Sequence, residues 1–300
     1  MNIKFILFLV FIAMISKTGS SQTIDADFRK KAADYYANSE WDKAIELYSK
    51  IVSVEDKNLN AWSRLTSCYI QKKDDDNAFS LLKNAVTKGD NPYVWYNLSC
   101  QYAKRNMKDK AIESLKKAIS SGYLSSSSTL SDHDLSTLKN DKNFLEAVEE
   151  MKKQEFPCMY NDKLNEFAFW LGEWNVYNIY GNKVGDSKIE RILNDCIILE
   201  NWTSATGRTG KSFNTINSNT GFWEQTWVDD FGAVTEYKRG LFGNGALSFI
   251  AEGKDTNGNP LYQKLTFYKN DDGTVRQLGE SSPDQVTWTT AYDLLYKKKN

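Results

Sequence analysis

The sequence repeats one helical pattern with a period of about 34 residues, and this period constrains the fold more than any other feature. Ala44, Ala78 and Ala111 mark successive copies and lie in the same apolar frame. Larger apolar side chains precede each alanine at the three- and four-residue steps of a buried helical stripe. A small residue in the following helix lets two helix axes approach closely. Each helix pair therefore has an apolar face that only a neighbouring pair can cover.

The order of large and small residues is the same in the second and third copies and weaker in the first. The matching positions are Trp62, Leu65, Tyr69, Ala78, Leu82 and Ala85 in the second copy and Trp95, Leu98, Tyr102, Ala111, Leu115 and Ala118 in the third. This pattern resembles the tetratricopeptide repeat, in which pairs of antiparallel helices stack into a solenoid. The resemblance covers residues 24–57, 58–91 and 92–124 and implies a surface that binds a protein or peptide partner.

The first helix of each pair is expected to line the concave surface of the solenoid. The candidate partner-binding residues on this surface are Arg29, Tyr36, Arg64, Tyr93, Tyr96 and Asn97. Aromatic and arginine side chains are common anchors of protein interfaces. Some tetratricopeptide domains clamp a terminal carboxylate with a fixed Lys/Asn/Arg set, but Ala33 and Tyr93 occupy positions of that set here. The clamp is therefore not predicted, and the alternative is that the repeats act only as a spacer.

The helical pattern pauses after the third repeat and then resumes. A serine-rich stretch at residues 125–128 interrupts it, and Asn140 or Asp141 could cap a further helix that extends to residue 153. A terminal helix of this kind covers the exposed face of the last repeat in a solenoid. Residues 154–164 are predicted to be a linker.

The start of the chain, residues 1–22, has the layout of a secretory signal peptide. Lys4 gives a positive start, residues 5–15 form an apolar run, and residues 16–22 are small and polar. The run is too short for a membrane span, so we expect a periplasmic or secreted protein without a transmembrane segment. The chain has 38 basic and 39 acidic residues, a balance that does not favour nucleic acid as a partner.

The second half of the sequence has the pattern of an all-β domain. From residue 165 to residue 300 turn signals recur about every eight to twelve residues between segments rich in aromatic and β-branched residues. About eight to ten antiparallel strands are predicted, and they must close or pack in two layers to protect their edges.

The start of this domain carries a second resemblance. Gly172 and Trp174 form the G-x-W that opens many lipocalin-like barrels, and segments such as Trp223–Asp229 resemble an uncharacterised family of bacterial barrels, some fused behind tetratricopeptide repeats. The predicted fold class is therefore multidomain, an α-solenoid followed by an antiparallel lipocalin-like β-barrel.

Strand alternation places polar and aromatic side chains of the β domain on shared faces. If these faces point inward, they form a small-molecule site with aromatic walls and a few hydrogen-bonding groups. The candidate ligand-binding residues are Glu200, Trp202, Ser212, Asn214, Trp223, Gln225 and Trp227. The alternative is that they fill the barrel core, as Trp174 is expected to do at one end.

Most catalytic and cofactor motifs are excluded. His133 is the only histidine and precedes the barrel, which excludes a Ser-His-Asp or Cys-His centre there and a histidine-ligated haem like that of nitrobindins. Residues 207–212 resemble part of a phosphate-binding loop, but Ala205 replaces its first glycine and an extended segment follows. The sequence thus predicts a non-enzymatic protein that binds a small apolar or amphiphilic ligand without a metal or cofactor. The alternatives are an isomerase or hydrolase that uses Glu200, and a solid barrel that only binds protein.

Four cysteines in an exported chain permit two disulfides. The preferred bridge joins Cys158 and Cys196, which fall in the same domain. Cys68 and Cys100 occupy packed positions of neighbouring repeats and are expected to be free thiols. No cysteine spacing indicates a zinc site.

Overall fold

The computed structural model describes residues 24–299, and the chain divides into two compact units between Met151 and Lys152. The expected signal peptide over residues 1–22 lies outside the described residues. Within residues 24–299, no helix is both long and apolar enough to cross a membrane.

The first unit begins with three helix pairs. They are α1 (Ala26–Ala37) with α2 (Trp41–Val54), α3 (Leu59–Gln71) with α4 (Asp75–Ala85), and α5 (Pro92–Lys104) with α6 (Lys108–Ser120). The first helices of the pairs start at the evenly spaced positions Ala26, Leu59 and Pro92, so the structure has the period seen in the sequence. Ala44, Ala78 and Ala111 are fully buried where the helices approach each other.

The same local signals start and end the helices in each repeat. The side chains of Asp25 and Asn58 accept a hydrogen bond from the backbone N–H three residues later and thereby cap α1 and α3. The turn between the two helices of each pair contains one residue in the left-handed conformation. These residues are Ser39, Lys73 and Asn106, each with φ of 60°. The repeats thus share turn geometry although the turn residues differ.

The helical unit ends in a capping segment. It consists of α7 (Ser126–Ser131), a 3-10 helix (His133–Leu138) and α8 (Lys142–Glu155). Asp141 Oδ1 accepts hydrogen bonds from the backbone N–H groups of Asn143 and Phe144, so it is the capping residue of α8. Phe144 is fully buried against the third repeat.

The second unit is a closed barrel of ten antiparallel strands. They are β1 (Gly172–Asn178), β2 (Lys183–Ile192), β3 (Ile197–Ser204), β4 (Thr209–Ile216), β5 (Trp223–Asp229), β6 (Val234–Gly243), β7 (Ala246–Lys254), β8 (Pro260–Lys269), β9 (Val275–Ser282) and β10 (Thr289–Lys298). Each strand pairs with the next, and β10 pairs with β1 to close the ring. The predicted antiparallel barrel is present with ten strands.

One end of the barrel, here called the closed end, is filled by aromatic side chains from the segment before β1. The rings of Phe167 and Trp170 stack with centroids 4.9 Å apart, and Trp170 lies 4.5 Å from the ring of Phe267. Trp174 is fully buried and donates its Nε1–H to Trp170 O at 2.8 Å. Leu164, at the end of the expected linker, also lies in this core, so the barrel begins to pack before residue 165.

A disulfide ties this segment to the barrel wall. Cys158 is bonded to Cys196 in the β2–β3 turn, with the Cα atoms 5.0 Å apart, which is the preferred pairing. Beside it, Arg191 Nη2 donates to Asn165 Oδ1 at 2.8 Å. Cys68 and Cys100 are buried free thiols.

We expect the double substitution Cys158→Ser and Cys196→Ser to lower the free energy of unfolding. The bridge closes a loop across a separation of 38 residues, for which chain entropy gives about 4 kcal/mol. Urea unfolding of the oxidised protein and the variant measures the difference. Dithiothreitol should destabilise the wild type and leave the variant unchanged; equal unfolding midpoints for the oxidised protein and the variant would contradict the expectation.

Candidate functional site

A cavity of about 360 Å³ lies inside the barrel, between a polar layer and the open end opposite the closed end. Glu200, Gln225 and Gln277 form its polar floor. Its walls are mainly aromatic, with Trp202, Trp227, Tyr237 and Tyr292. The volume lies at the small end of the range of about 300–1,000 Å³ that is usual for small-molecule sites.

Interior glycines make room for this cavity. An added Cβ would lie 2.5 Å from the ring of Trp202 at Gly185, 2.3 Å from Trp227 at Gly210, and 2.4 Å from Tyr292 at Gly279. The rings therefore rest on the backbone of a neighbouring strand, and side chains that would otherwise fill the barrel stay close to its wall. Glycine inside a strand often marks such a close approach.

Glu200 occupies the centre of the floor and is 2% exposed. Its Oε1 accepts a hydrogen bond from Ser187 Oγ at 2.8 Å, and its Oε2 accepts one from Ser212 Oγ at 3.0 Å. The hydroxyl of Tyr296 lies 3.3 Å from Glu200 Oε1 and 2.6 Å from Gln277 Oε1. These groups meet because β2, β3 and β4 are neighbours and β10 completes the ring.

The hydrogen bonds beneath the floor form a chain in which each side chain donates to the next, from Gln225 through Asn214 and Ser212 to Glu200. Asn214 Nδ2 donates to the backbone oxygen of Ile198 at 2.9 Å and to Ser212 Oγ at 3.1 Å. A carbonyl can only accept, which fixes the orientation of the Asn214 amide. Its Oδ1 accepts from Gln225 Nε2 at 2.7 Å, so Gln225 Oε1 remains as an acceptor. The proton of Ser212 is directed to Glu200.

Burial raises the pKa of Glu200 to about 7, and the hydrogen bonds from Ser187, Ser212 and Tyr296 oppose only part of this rise. Among the described residues that line the cavity, Glu200 is the only charged one. Its carboxyl group therefore changes protonation near neutral pH without a basic side chain in the described cavity lining.

The predicted ligand-binding residues divide into three groups. Glu200, Trp202, Gln225 and Trp227 line the cavity. Ser212 and Asn214 are fully buried behind it and orient Glu200 and Gln225. The third group is Trp223 alone.

Trp223 lies at the closed end, a correction to its predicted place in the site. Its ring meets Phe167 edge to face at 5.7 Å, and its Nε1 donates to Glu166 Oε2 at 2.9 Å. Trp223 shares the inward face of β5 with Gln225 and Trp227, but it is nearer the closed end. Two-residue alternation predicts which face of a strand a side chain occupies. Its position along the barrel axis depends on how the strands close into the ring.

The sequence reasoning missed the residues that the later strands contribute to the cavity. They are Thr235, Tyr237, Gln263, Leu265, Gln277, Tyr292, Leu294 and Tyr296. The two-residue spacing of Tyr292, Leu294 and Tyr296 was an available signal for one shared face of β10.

A wider groove of about 860 Å³ lies beside the cavity where β6 and β7 separate. Backbone pairing of these strands covers Lys238–Gly243 with Ala246–Ile250, and within the described chain no pairing joins residues 234–237 to 251–254. Thr235 and Gln263 line both the groove and the cavity. The wall is therefore thinnest here.

The predicted partner-binding residues of the repeats differ in their surroundings. Arg29 is paired with Glu55 at 2.8 Å, and the guanidinium of Arg64 lies 4.4 Å from the ring of Tyr36. Tyr93 is 61% exposed. Asn97, one turn further along α5, is partly exposed.

Tyr96 is buried and unavailable to a partner, which corrects its predicted role. Its ring stacks on Tyr123 at 4.1 Å, and its hydroxyl donates to Asp132 Oδ2 at 2.7 Å. It therefore holds the capping segment against the third repeat.

Cys100, Asp132 and Asp134 form the one group of possible metal ligands among residues 24–299. Burial and the two carboxylates raise the pKa of the Cys100 thiol well above its usual value. The thiol is therefore protonated at neutral pH in the metal-free protein.

No protein-family model matches the chain, and no curated protein does. Solved structures that are similar to part of it include two of MamA and one of the TPR2B domain of yeast Sti1 in complex with pHsp70. The MamA structures are 20% and 18% identical, cover 44% and 42% of this chain and 73% and 75% of their own, and give TM-scores of 0.35 and 0.34. The Sti1 domain is 14% identical, covers 41% of this chain and 95% of its own, and gives a TM-score of 0.31.

We expect stability to fall as pH rises through the titration of Glu200. Because its pKa rises from 4.5 to about 7 on folding, the folded protein binds more protons than the unfolded chain between these values. The contribution is complete below pH 4.5 and is lost above about 7, a change of about 3 kcal/mol. Urea unfolding at several pH values measures it.

The matched variants are Glu200→Gln, which cannot ionise, and Glu190→Gln on β2, where Glu190 is paired with Lys188 outside the cavity. The first should flatten the pH dependence between these values, and the second should retain it. A Glu200→Gln protein with the wild-type pH profile would show that Glu200 does not titrate in this window.

Proposed function

We propose that this protein is an exported, non-enzymatic binding protein whose barrel takes up a small amphiphilic molecule and whose repeats engage a protein or peptide. The main observation that supports this proposal is the cavity above Glu200. It combines one polar floor with aromatic walls, the usual composition of a small-molecule site. A ligand with one hydrogen-bonding group and an apolar body matches this distribution.

The positions of three strand glycines indicate that the cavity is a built-in feature of the fold. Small barrels are normally filled by their own side chains. Here Gly185, Gly210 and Gly279 each place a large ring against the wall. A strand glycine loses more conformational entropy on folding than other residues, so three such positions around one space favour a role for that space.

The opening beside β6 offers the ligand a route into the cavity. Tyr237 donates from its hydroxyl to Gln263 Oε1 at 3.2 Å next to this opening. One side-chain hydrogen bond, rather than a ladder of backbone bonds, would have to break there. This is a small barrier, since such a bond contributes about 1 kcal/mol net.

Export is supported by the signal-like start of the sequence together with the disulfide. Structural disulfides persist in oxidising compartments such as the periplasm and the cell exterior. The bond between Cys158 and Cys196 fixes the segment that closes the barrel, so its stability would matter to the site.

The repeats are proposed to bind an extended protein segment through α3 and α5. Tyr93 is the large exposed aromatic side chain of α5, and Arg64 of α3 is held by the ring of Tyr36. Aromatic and arginine side chains frequently dominate binding energy at interfaces.

A second candidate function is carboxylate catalysis in the same cavity, as an isomerase or hydrolase. A carboxyl group with a pKa near the working pH is an effective general acid or base, and burial raises the pKa of Glu200 to about 7. The enzyme alternative requires release of a chemically changed ligand. A bound molecule recovered unchanged after prolonged incubation would favour the binding function.

The neutral fluorescent dye prodan should bind the barrel with blue-shifted emission. Gly210→Ala should weaken this binding about fivefold or more, because a methyl group there displaces Trp227 into the cavity. Gly243→Ala is the matched control, since an added Cβ at Gly243 has no atom within 4 Å. Fluorescence titration measures both, with thermal unfolding as a check that each variant is folded. Absence of dye binding, or an equal loss in both variants, would contradict a ligand cavity.

A peptide selected from a displayed library against the whole protein should lose affinity on Tyr93→Ala. If Tyr93 is a hot spot of the interface, its truncation should cost about 2 kcal/mol, a change that calorimetry resolves. Tyr180→Ala in the barrel, where Tyr180 is 81% exposed, is the matched control. Equal affinity of all three proteins would place peptide binding elsewhere.

A further inference from the structure

The floor of the barrel cavity holds an acid that lacks a positive partner. Glu200 is 2% exposed, and no ion pair among residues 24–299 includes it. The cavity lining within the described chain has no lysine, arginine or histidine. A buried carboxylate is normally paired with a cation or bound to a metal, because loss of its hydration is costly.

The surrounding hydrogen bonds favour the ionised form of this acid. Ser187 and Ser212 each donate a proton to one of its two oxygens, at 2.8 and 3.0 Å. The Ser212 proton is directed there by Asn214, whose amide is fixed by the carbonyl of Ile198. Hydrogen bonds to the charged form stabilise it. The network therefore prepares Glu200 to act as an anion although no cation of the described chain lines the cavity.

Two of the three residues of the polar floor, Glu200 and Gln225, offer acceptors, whereas Gln277 accepts from Tyr296 through Oε1 and keeps its Nε2–H groups as donors. The Gln225 amide donates its Nε2–H to Asn214, which leaves Gln225 Oε1 available to accept a hydrogen bond. Together with Glu200, it forms a surface that a hydrogen-bond donor would match. An anionic group of a ligand would meet a carboxylate and, in the described lining, no basic side chain.

The walls are suited to the same kind of ligand. Trp202, Trp227 and Tyr292 present electron-rich rings around the space above Glu200. Such rings attract cations through their faces, most strongly in tryptophan and where water is excluded. An acid surrounded by aromatic rings is thus complementary to a positive group attached to an apolar body.

We propose that the barrel binds an organic cation, an amine or ammonium compound with an apolar body, whose charged group contacts Glu200 beneath the aromatic walls. This inference rests on the proposed ligand-binding function and defines the chemical class of the ligand. It assigns Glu200 the role of counter-ion, and Gln225 that of a neighbouring acceptor.

Glu200 is also the group that makes this binding depend on pH. The titratable groups that face it are Tyr296 and Tyr292 from β10 and Tyr237 from β6, and burial raises the pKa of each hydroxyl above its usual value. Ser187 of β2 and Ser212 of β4 do not titrate. Burial raises the pKa of Glu200 to about 7, so the anion that a cation requires is depleted below that pH.

Three probes with the same phenylbutyl body test the proposal: 4-phenylbutylamine as cation, 4-phenylbutan-1-ol as neutral compound and 4-phenylbutanoate as anion. We expect calorimetry on the whole protein at about pH 8 to show the amine binding about tenfold or more tighter than the alcohol, with the anion weakest. The amine affinity should fall below about pH 7 with a slope approaching one logarithmic unit per pH unit. The alcohol affinity should change little.

Glu200→Gln should remove both the preference for the amine and its pH dependence, and Glu190→Gln should keep both. The pH profile of the wild type needs no variant, so the proposal remains testable if Glu200→Gln folds poorly. Equal binding of amine and alcohol, or tighter binding of the anion, would overturn the cation proposal while leaving a ligand cavity intact. If none of the three probes binds, both the cation proposal and the proposed ligand cavity would be overturned.

Discussion

Strand β10 pairs with β1 on one side and with β9 on the other, and the candidate site depends on this closure. Tyr296 lies opposite Val176 of β1 and carries its hydroxyl to within 3.3 Å of Glu200, 96 residues earlier in the chain. Tyr292 and Leu294 enter the cavity from the same strand. If β10 were detached, β1 and β9 would become open edges. Water would then reach Glu200 through the gap, and both its burial and its raised pKa would be lost.

The closed ring divides the interior into layers with different chemistry. Phe167, Trp170 and Trp174 fill the closed end with apolar contacts that stabilise the fold. Above them Glu200 and its amide and hydroxyl neighbours form a polar layer whose side chains orient one another by hydrogen bonds and leave Gln225 Oε1 as an acceptor. A hydrogen-bonded network of this kind holds its side chains in fixed orientations. The aromatic layer at the open end then surrounds space, which is why the polar layer is available to a ligand.

The repeats were predictable from the sequence because their signals are local. Ala44, Ala78 and Ala111 recur once in each helix pair, and the caps and turns lie within a few residues of the helices they bound. In the barrel, two-residue alternation placed Glu200 with Trp202 and Gln225 with Trp227. It could not identify Gln277 or Tyr296 as neighbours of Glu200, since that requires the register of strands distant in sequence. Tyr96 was misjudged for a similar reason, because Asp132, which accepts its hydroxyl proton, is 36 residues away.

The separation of β6 from β7 has a mechanical consequence. Elsewhere around the ring each strand is joined to the next over most of its length, but residues 234–237 and 251–254 face each other without backbone pairing in the described chain. This seam can widen without loss of any backbone hydrogen bond between β6 and β7, so it is the compliant part of an otherwise stiff cylinder. Amides that point into the seam should exchange with solvent much faster than those of the β7–β8 ladder. Local opening of the barrel should therefore be concentrated at this seam.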